Sequence, residues 1–137
     1  MGAGDALQRL IEESAQIEAA CMFDADGTTE ASTLTDESAT RSLVEAARAL
    51  VSEAENRPRD PDAGPLAQLE VATHDGSVFV VREGDRAVVA VTKPEPTVGL
   101  VFYDLKSCLR TTRGETNSRP RRRGADSEEA STSETAA

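Results

Sequence analysis

A chain of 137 residues is long enough to bury one core and too short for two domains. Asp and Glu outnumber Lys and Arg 25 to 15, a formal net charge of −10, which disfavours a nucleic-acid partner because phosphate binding needs a positive field. With 38% hydrophobic residues, no Trp and three Phe, the core must rest on Val, Leu, Ile and Ala.

Leu7, Leu10, Ile11 and Ala15 repeat at helical spacing while Arg9, Glu12 and Glu13 face away, which predicts a first helix over residues 5–16. The period then changes. Ile17 to Phe23 reads as a strand, Asp24-Ala25-Asp26-Gly27-Thr28 as a hairpin turn, and 29–33 as a second strand. Asp36 is placed to cap the longest helix, 37–55, whose Ala39, Leu43, Ala46, Ala47, Leu50, Val51 and Ala54 form one stripe, with Arg41 and Glu45 as an i,i+4 pair on its wet side. Residues 56–65 hold three Pro and a Gly and make a turn-rich connection.

Three short β-branched runs follow, around Leu69 and Val71, over Val78–Val81 and over Ala87–Val91. The turn signals His74-Asp75-Gly76 and Glu83-Gly84-Asp85 separate them, so the block reads as a β-meander. Thr97 can cap a last helix whose Val98, Val101, Phe102, Leu105, Cys108 and Leu109 share one face. The order is α-β-β-α-β-β-β-α, an α+β arrangement in the broader α/β class.

From Arg113 onward no hydrophobic period remains, and five Arg balance five acids, so the whole negative surplus sits on residues 1–112. A segment of this composition cannot offset its ordering entropy by burial, which divides the chain into a domain over 1–112 and a disordered tail over 113–137. The cluster Arg119-Pro120-Arg121-Arg122-Arg123 is expected to be a solvated run, contact with an acidic lipid or partner being the alternative.

Candidate chemistry is sparse. Asp24, Asp26, Glu30 and Glu37 invite a calcium-loop reading, but Thr28, Thr29 and Thr35 stand where such a loop starting at Asp24 needs an acid or Asn, a Gly and a Glu, so the hairpin is preferred. His74, the one histidine, sits in a turn with no nucleophile in the pattern. Gly76, Gly84 and Gly99 stand alone, so there is no phosphate-cradling loop, and Glu83, Asp85 and Glu95 read as solvated turn charges rather than a carboxylate pair. Cys21 and Cys108 share no metal or redox spacing, and each lies in an apolar pattern as a buried thiol. No catalytic residue, cofactor or metal is therefore expected. With no signal-peptide pattern and no run approaching the ~20 apolar residues of a membrane span, a cytoplasmic protein without stable membrane insertion is expected. Two Lys beside thirteen Arg suggest a high-GC prokaryote.

The element order and the residues at its joints resemble the roadblock and dynein-light-chain family. The likeness covers residues 5–112. It rests on the Ala19-Ala20-Cys21-Met22-Phe23-Asp24-Ala25-Asp26-Gly27 hairpin, the Ala-rich helix after Asp36, Leu69-Glu70-Val71 with Gly76, and Pro96-Thr97-Val98-Gly99-Leu100-Val101 entering the last helix. The chain departs from the pattern at Glu18-Ala19, where many members place a Gly, and in its long 56–65 connection. The resemblance implies a five-stranded antiparallel sheet with the long helix on one face and the terminal helices on the other. It also implies a non-enzymatic homodimer, joined at the long helix and a sheet edge, that binds a small Ras-like GTPase and modulates its nucleotide cycle. The small apolar residues of the long helix, Leu43, Ala46, Ala47, Ala49, Leu50 and Ala54, are the expected dimer contacts. Two other readings stand beside this one, a PAS-like small-ligand sensor and a structural scaffold without a GTPase partner.

Overall fold

A computed structural model describes residues 2–57, 60, 62 and 67–116, with side chains through Thr112. Its elements are α1 (Ala3–Glu13), β1 (Ile17–Asp24), β2 (Thr29–Ser32), α2 (Glu37–Glu55), β3 (Gln68–Thr73), β4 (Gly76–Glu83), β5 (Arg86–Thr92) and α3 (Val98–Thr116). The expected order is present. The strands form one antiparallel sheet in the order β2-β1-β5-β4-β3, so the first and last strands of the two hairpin units meet at its centre.

Alternation along the central strands sends side chains into two layers. Ala20 and Met22 of β1, Phe79 and Val81 of β4, and Val88 and Ala90 of β5 pack against Leu7 and Leu10 of α1 and Val101, Leu105 and Leu109 of α3. Cys21, Phe23, Val80, Ala87 and Val89 point the other way, against Val44, Ala47 and Val51 of α2. β1 and β5 are thus buried on both faces, which explains why they read as continuous apolar runs without a polar alternation.

Local devices fix the ends. Asp36 caps α2, its carboxylate accepting from the Ser38 amide at 3.0 Å. The Thr97 carbonyl accepts from the Val101 amide at 3.0 Å to open α3. In the β1–β2 turn Asp24 Oδ1 accepts from the Asp26 and Thr28 amides at 3.0 and 2.9 Å, so this carboxylate holds a hairpin. Gly76 follows the two-residue His74-Asp75 loop at φ +152°, and a Cβ there would lie 2.2 Å from the Thr92 carbonyl oxygen. A backbone neighbour cannot yield, so only glycine fits.

Two bulges shape β1 and its neighbours. Ile17 pairs with Thr92 and Ala19 with Val91, which leaves Glu18 as the extra residue, at the position where the sequence departs from the family pattern. Met22 pairs with Ala31 and Phe23 with Thr29, so Glu30 is extra on β2 and its carboxylate is aimed at Arg86, with Nη2 to Oε1 at 2.7 Å.

Two sequence expectations change. α1 spans Ala3–Glu13 rather than 5–16; it begins earlier, and Ser14, buried and extended, ends it, leaving Ala15 outside and exposed. The buried face of α2 is Thr40, Val44, Ala47 and Val51 rather than the stripe through Leu43 and Leu50. Val44, Ala47 and Val51 pack against the sheet in this orientation, and the Ser32 hydroxyl bonds Thr40 Oγ1 at 2.8 Å on the same side of the helix. α3 runs to Thr116, and the expected tail from residue 117 onward lies outside the described residues.

Leu105 is fully buried at the centre of the α3 contact, whereas Arg110 is exposed and pairs with Glu83 at 2.8 Å. Leu105→Ala is expected to lower unfolding free energy by about 2–5 kcal/mol. Arg110→Ala should cost less than about 1 kcal/mol. Denaturant titration of both variants checks the ranking, and a larger loss at Arg110 would contradict this packing.

Candidate interaction surface

The buried face of α2 leaves most of the helix's other apolar residues looking elsewhere. Ala46 and Ala49 are exposed on the outward side, beside Ser42, Glu45 and Glu53. Leu43, Leu50 and Ala54 are half-buried along one flank. Ala47, expected among the dimer contacts, is 0% exposed and belongs to the layer between α2 and the sheet. Of the six residues singled out from the sequence, five therefore share an accessible surface and Ala47 supports it from beneath. The opposite flank is polar. Arg48, Ser52 and Glu55 border the turn end of the sheet around a pocket of about 220 Å³, where Arg82 of β4 pairs with Glu55.

α2 lies over β2, β1 and β5, and the far part of the same sheet face is only partly covered. There Val71, Val78 and Val91 form a cross-strand row, each half-buried, and Leu69 is half-buried in the next row. β3 bounds this apolar strip and pairs with β4 alone. Its sequence, Gln-Leu-Glu-Val-Ala-Thr, has no Pro or Lys and a single charge, so it lacks the devices that usually keep a sheet edge from pairing. A helix flank, a valine row and an open edge thus form a continuous place for another β-edge or helix to bind. Sequence reading found the α2 part and the edge. It missed the valine row, because Val71, Val78 and Val91 read as core residues until the position of α2 is known.

The residues weighed as chemical groups are used structurally. Cys21 lies in the α2 layer and Cys108 in the α1–α3 layer, both as free buried thiols on opposite faces of the sheet. Burial pushes the Cys108 thiol up to about 11, only weakly opposed by Arg86, and burial raises Cys21 against a 3.3 Å hydrogen bond with Ser32. Glu83 is engaged by Arg110, and His74 sits in its two-residue loop. Among the described residues no three His, Cys, Asp or Glu side chains are grouped to hold a metal ion, and no helix is long and apolar enough to cross a membrane.

This architecture, a two-sided antiparallel sheet with one long helix on one face and the terminal helices on the other, defines a class of small α+β domains. The Roadblock/LC7 domain model matches residues 4–93, and the chain belongs to that family. Among solved structures, a Roadblock/LC7 domain from Streptomyces avermitilis superposes with TM-score 0.76 at 15% identity, over 86% of this chain and 100% of that one. MglB of Myxococcus xanthus gives 0.68 at 15% identity, over 85% and 96%. Acanthamoeba castellanii profilin IB gives 0.55 at 11% identity, over 84% and 99%. At these identities the likenesses establish the fold. No curated protein matches by sequence.

The thiols supply a test of the layers. Below the ordinary thiol value of 9.0 both native and unfolded Cys108 hold their protons, so this group leaves stability unchanged with pH. Between 9.0 and about 11 the unfolded thiol ionises first and the native state loses stability. Denaturation midpoints should therefore fall over that window, and Cys108→Ser should flatten the fall; an unchanged slope would contradict the buried placement.

Proposed function

We propose that the chain is a non-enzymatic homodimeric platform that binds a small Ras-like GTPase and modulates its nucleotide cycle. The observation that carries the dimer is the apolar surface made by the outward side of α2, the half-covered valine row and the unprotected edge of β3. Pairing two β3 edges about a two-fold axis would join two five-stranded sheets and bury both rows. The small Ala46 and Ala49 side chains allow two α2 helices to approach closely. MglB, which shares the fold, is known in a tetrameric arrangement, so the fold is compatible with self-association. Family membership supports the GTPase as partner, and the net charge of −10 favours a partner that presents a basic face. Such a platform acts by binding and positioning its partner.

Light scattering should give twice the 14.5 kDa monomer mass at tens of micromolar. Ala46→Glu should shift the chain toward monomer with its helical signal intact, because like charges would face each other across the axis. Ala47→Glu should instead unfold it, at a cost of at least about 3 kcal/mol, because the charge enters the core. A wild-type monomer would overturn the dimeric platform.

The partner is tested by pull-down with Ras-like GTPases loaded with GDP or a non-hydrolysable GTP analogue, followed by nucleotide-exchange and hydrolysis rates. Nucleotide-dependent retention with altered rates is expected. Retention indifferent to nucleotide would favour a structural scaffold.

A further inference from the structure

α1 and α3 pack antiparallel on the face of the sheet opposite α2, and between them runs an open groove of about 600 Å³. Gln16, just past α1, accepts a hydrogen bond from the Thr97 amide and ties one end of the groove. The other end, at Ala6 and Thr111, lies beside the C-terminal end of α3. Leu100 and Tyr103 line it and are 48% and 67% exposed, two of the three large apolar side chains left open to solvent among the described residues. Its charged lining is Glu13, Asp104 and Arg9, so acids prevail. Burial, and secondarily the nearby Glu13 charge, raise the Asp104 carboxyl above the usual carboxylate range.

We propose that this groove seats the chain's own basic segment, Arg119-Pro120-Arg121-Arg122-Arg123, folded back along α3 with its guanidinium groups toward Glu13 and Asp104 and its stems over Leu100 and Tyr103. Reach and charge both fit. Asp104 lies twelve residues before the end of α3 at Thr116, about 18 Å along the helix. The seven residues from Asn117 to Arg123 have a contour length of up to about 24 Å, enough for the cluster to reach the carboxylates. Residues 1–112 carry the entire net charge of −10, so the segment moves toward opposite charge. Arginine stems readily cover apolar surface while their heads stay hydrated. The proposal stands independently of the GTPase reading.

Tyr103 is the only tyrosine and the chain has no tryptophan, so intrinsic fluorescence reports on this groove alone. Acrylamide, a neutral quencher, is applied to the full chain and to the Arg121→Glu, Arg122→Glu, Arg123→Glu triple variant at low ionic strength. The triple variant should show a quenching constant about twofold higher, as expected for a few surface ion pairs acting together. Raising salt to about 1 M should bring the wild type to the same value while barely moving the variant. Glu13→Lys with Asp104→Lys should also expose Tyr103, and combining that pair with the triple variant should restore protection. Equal constants for wild type and triple variant, or a wild type insensitive to salt, would overturn the proposal. Protection that appears only as protein concentration rises would also overturn it, because the segment would then be seating on a second copy.

Discussion

The structure depends on a sheet whose middle is buried on both sides. β1 and β5 carry apolar residues at nearly every position, so neither face can be left to water and helices must cover both. The chain meets that demand unequally. Two helices, α1 and α3, cover one face, and among the described residues α2 is the one helix on the other, lying over β2, β1 and β5. The shortfall in cover falls on β4 and β3. There the valine row stays half-buried beside an edge that carries a single charge, so among the described residues the feature that most suggests a partner is a direct result of the incomplete helical cover.

Much of this was legible in the sequence because local signals agreed with the global arrangement. Asp36, the hairpin at Asp24 and the meander from Leu69 to Val91 each rest on a device that acts within a few residues, and each stands where its residues place it. The inward face of α2 was not legible. Ala, Leu and Val surround that helix on several sides, so the stripe read from periodicity, Ala39 through Ala54, holds the buried Ala47 and Val51 but misses Thr40 and Val44. The Ser32–Thr40 hydrogen bond accompanies the buried face, and as a contact between two polar residues it is one that no apolar pattern reveals. The length of α3 was hidden for the opposite reason. Thr112, buried and bonded to the Leu109 carbonyl at 2.9 Å, carries the helix past its last apolar residue.

The candidate surface was partly legible. Small residues on a long helix and a strand following a Pro-rich connection are visible in one dimension. Which of those residues face outward is a tertiary fact, and it divides six expected contacts into five at the surface and Ala47 beneath them. The bulge residues show the same limit. Glu30 reads as one more acid in a hairpin, yet the extra residue on β2 turns it toward Arg86 and stitches the β2 edge to β5.

The pairing of β1 with β5 has a consequence for biosynthesis. Ile17 lies against Thr92, so the central ladder of the sheet joins segments separated by nearly the whole domain. A nascent chain that has emerged only through α2 holds β1 with one of its two edges unpaired and both of its apolar faces incompletely covered. No local rearrangement can close it, because the missing strand has not yet been made. Assembly is therefore gated by translation of β5, and until that point the emerging half depends on whatever shields an apolar strand at the ribosome.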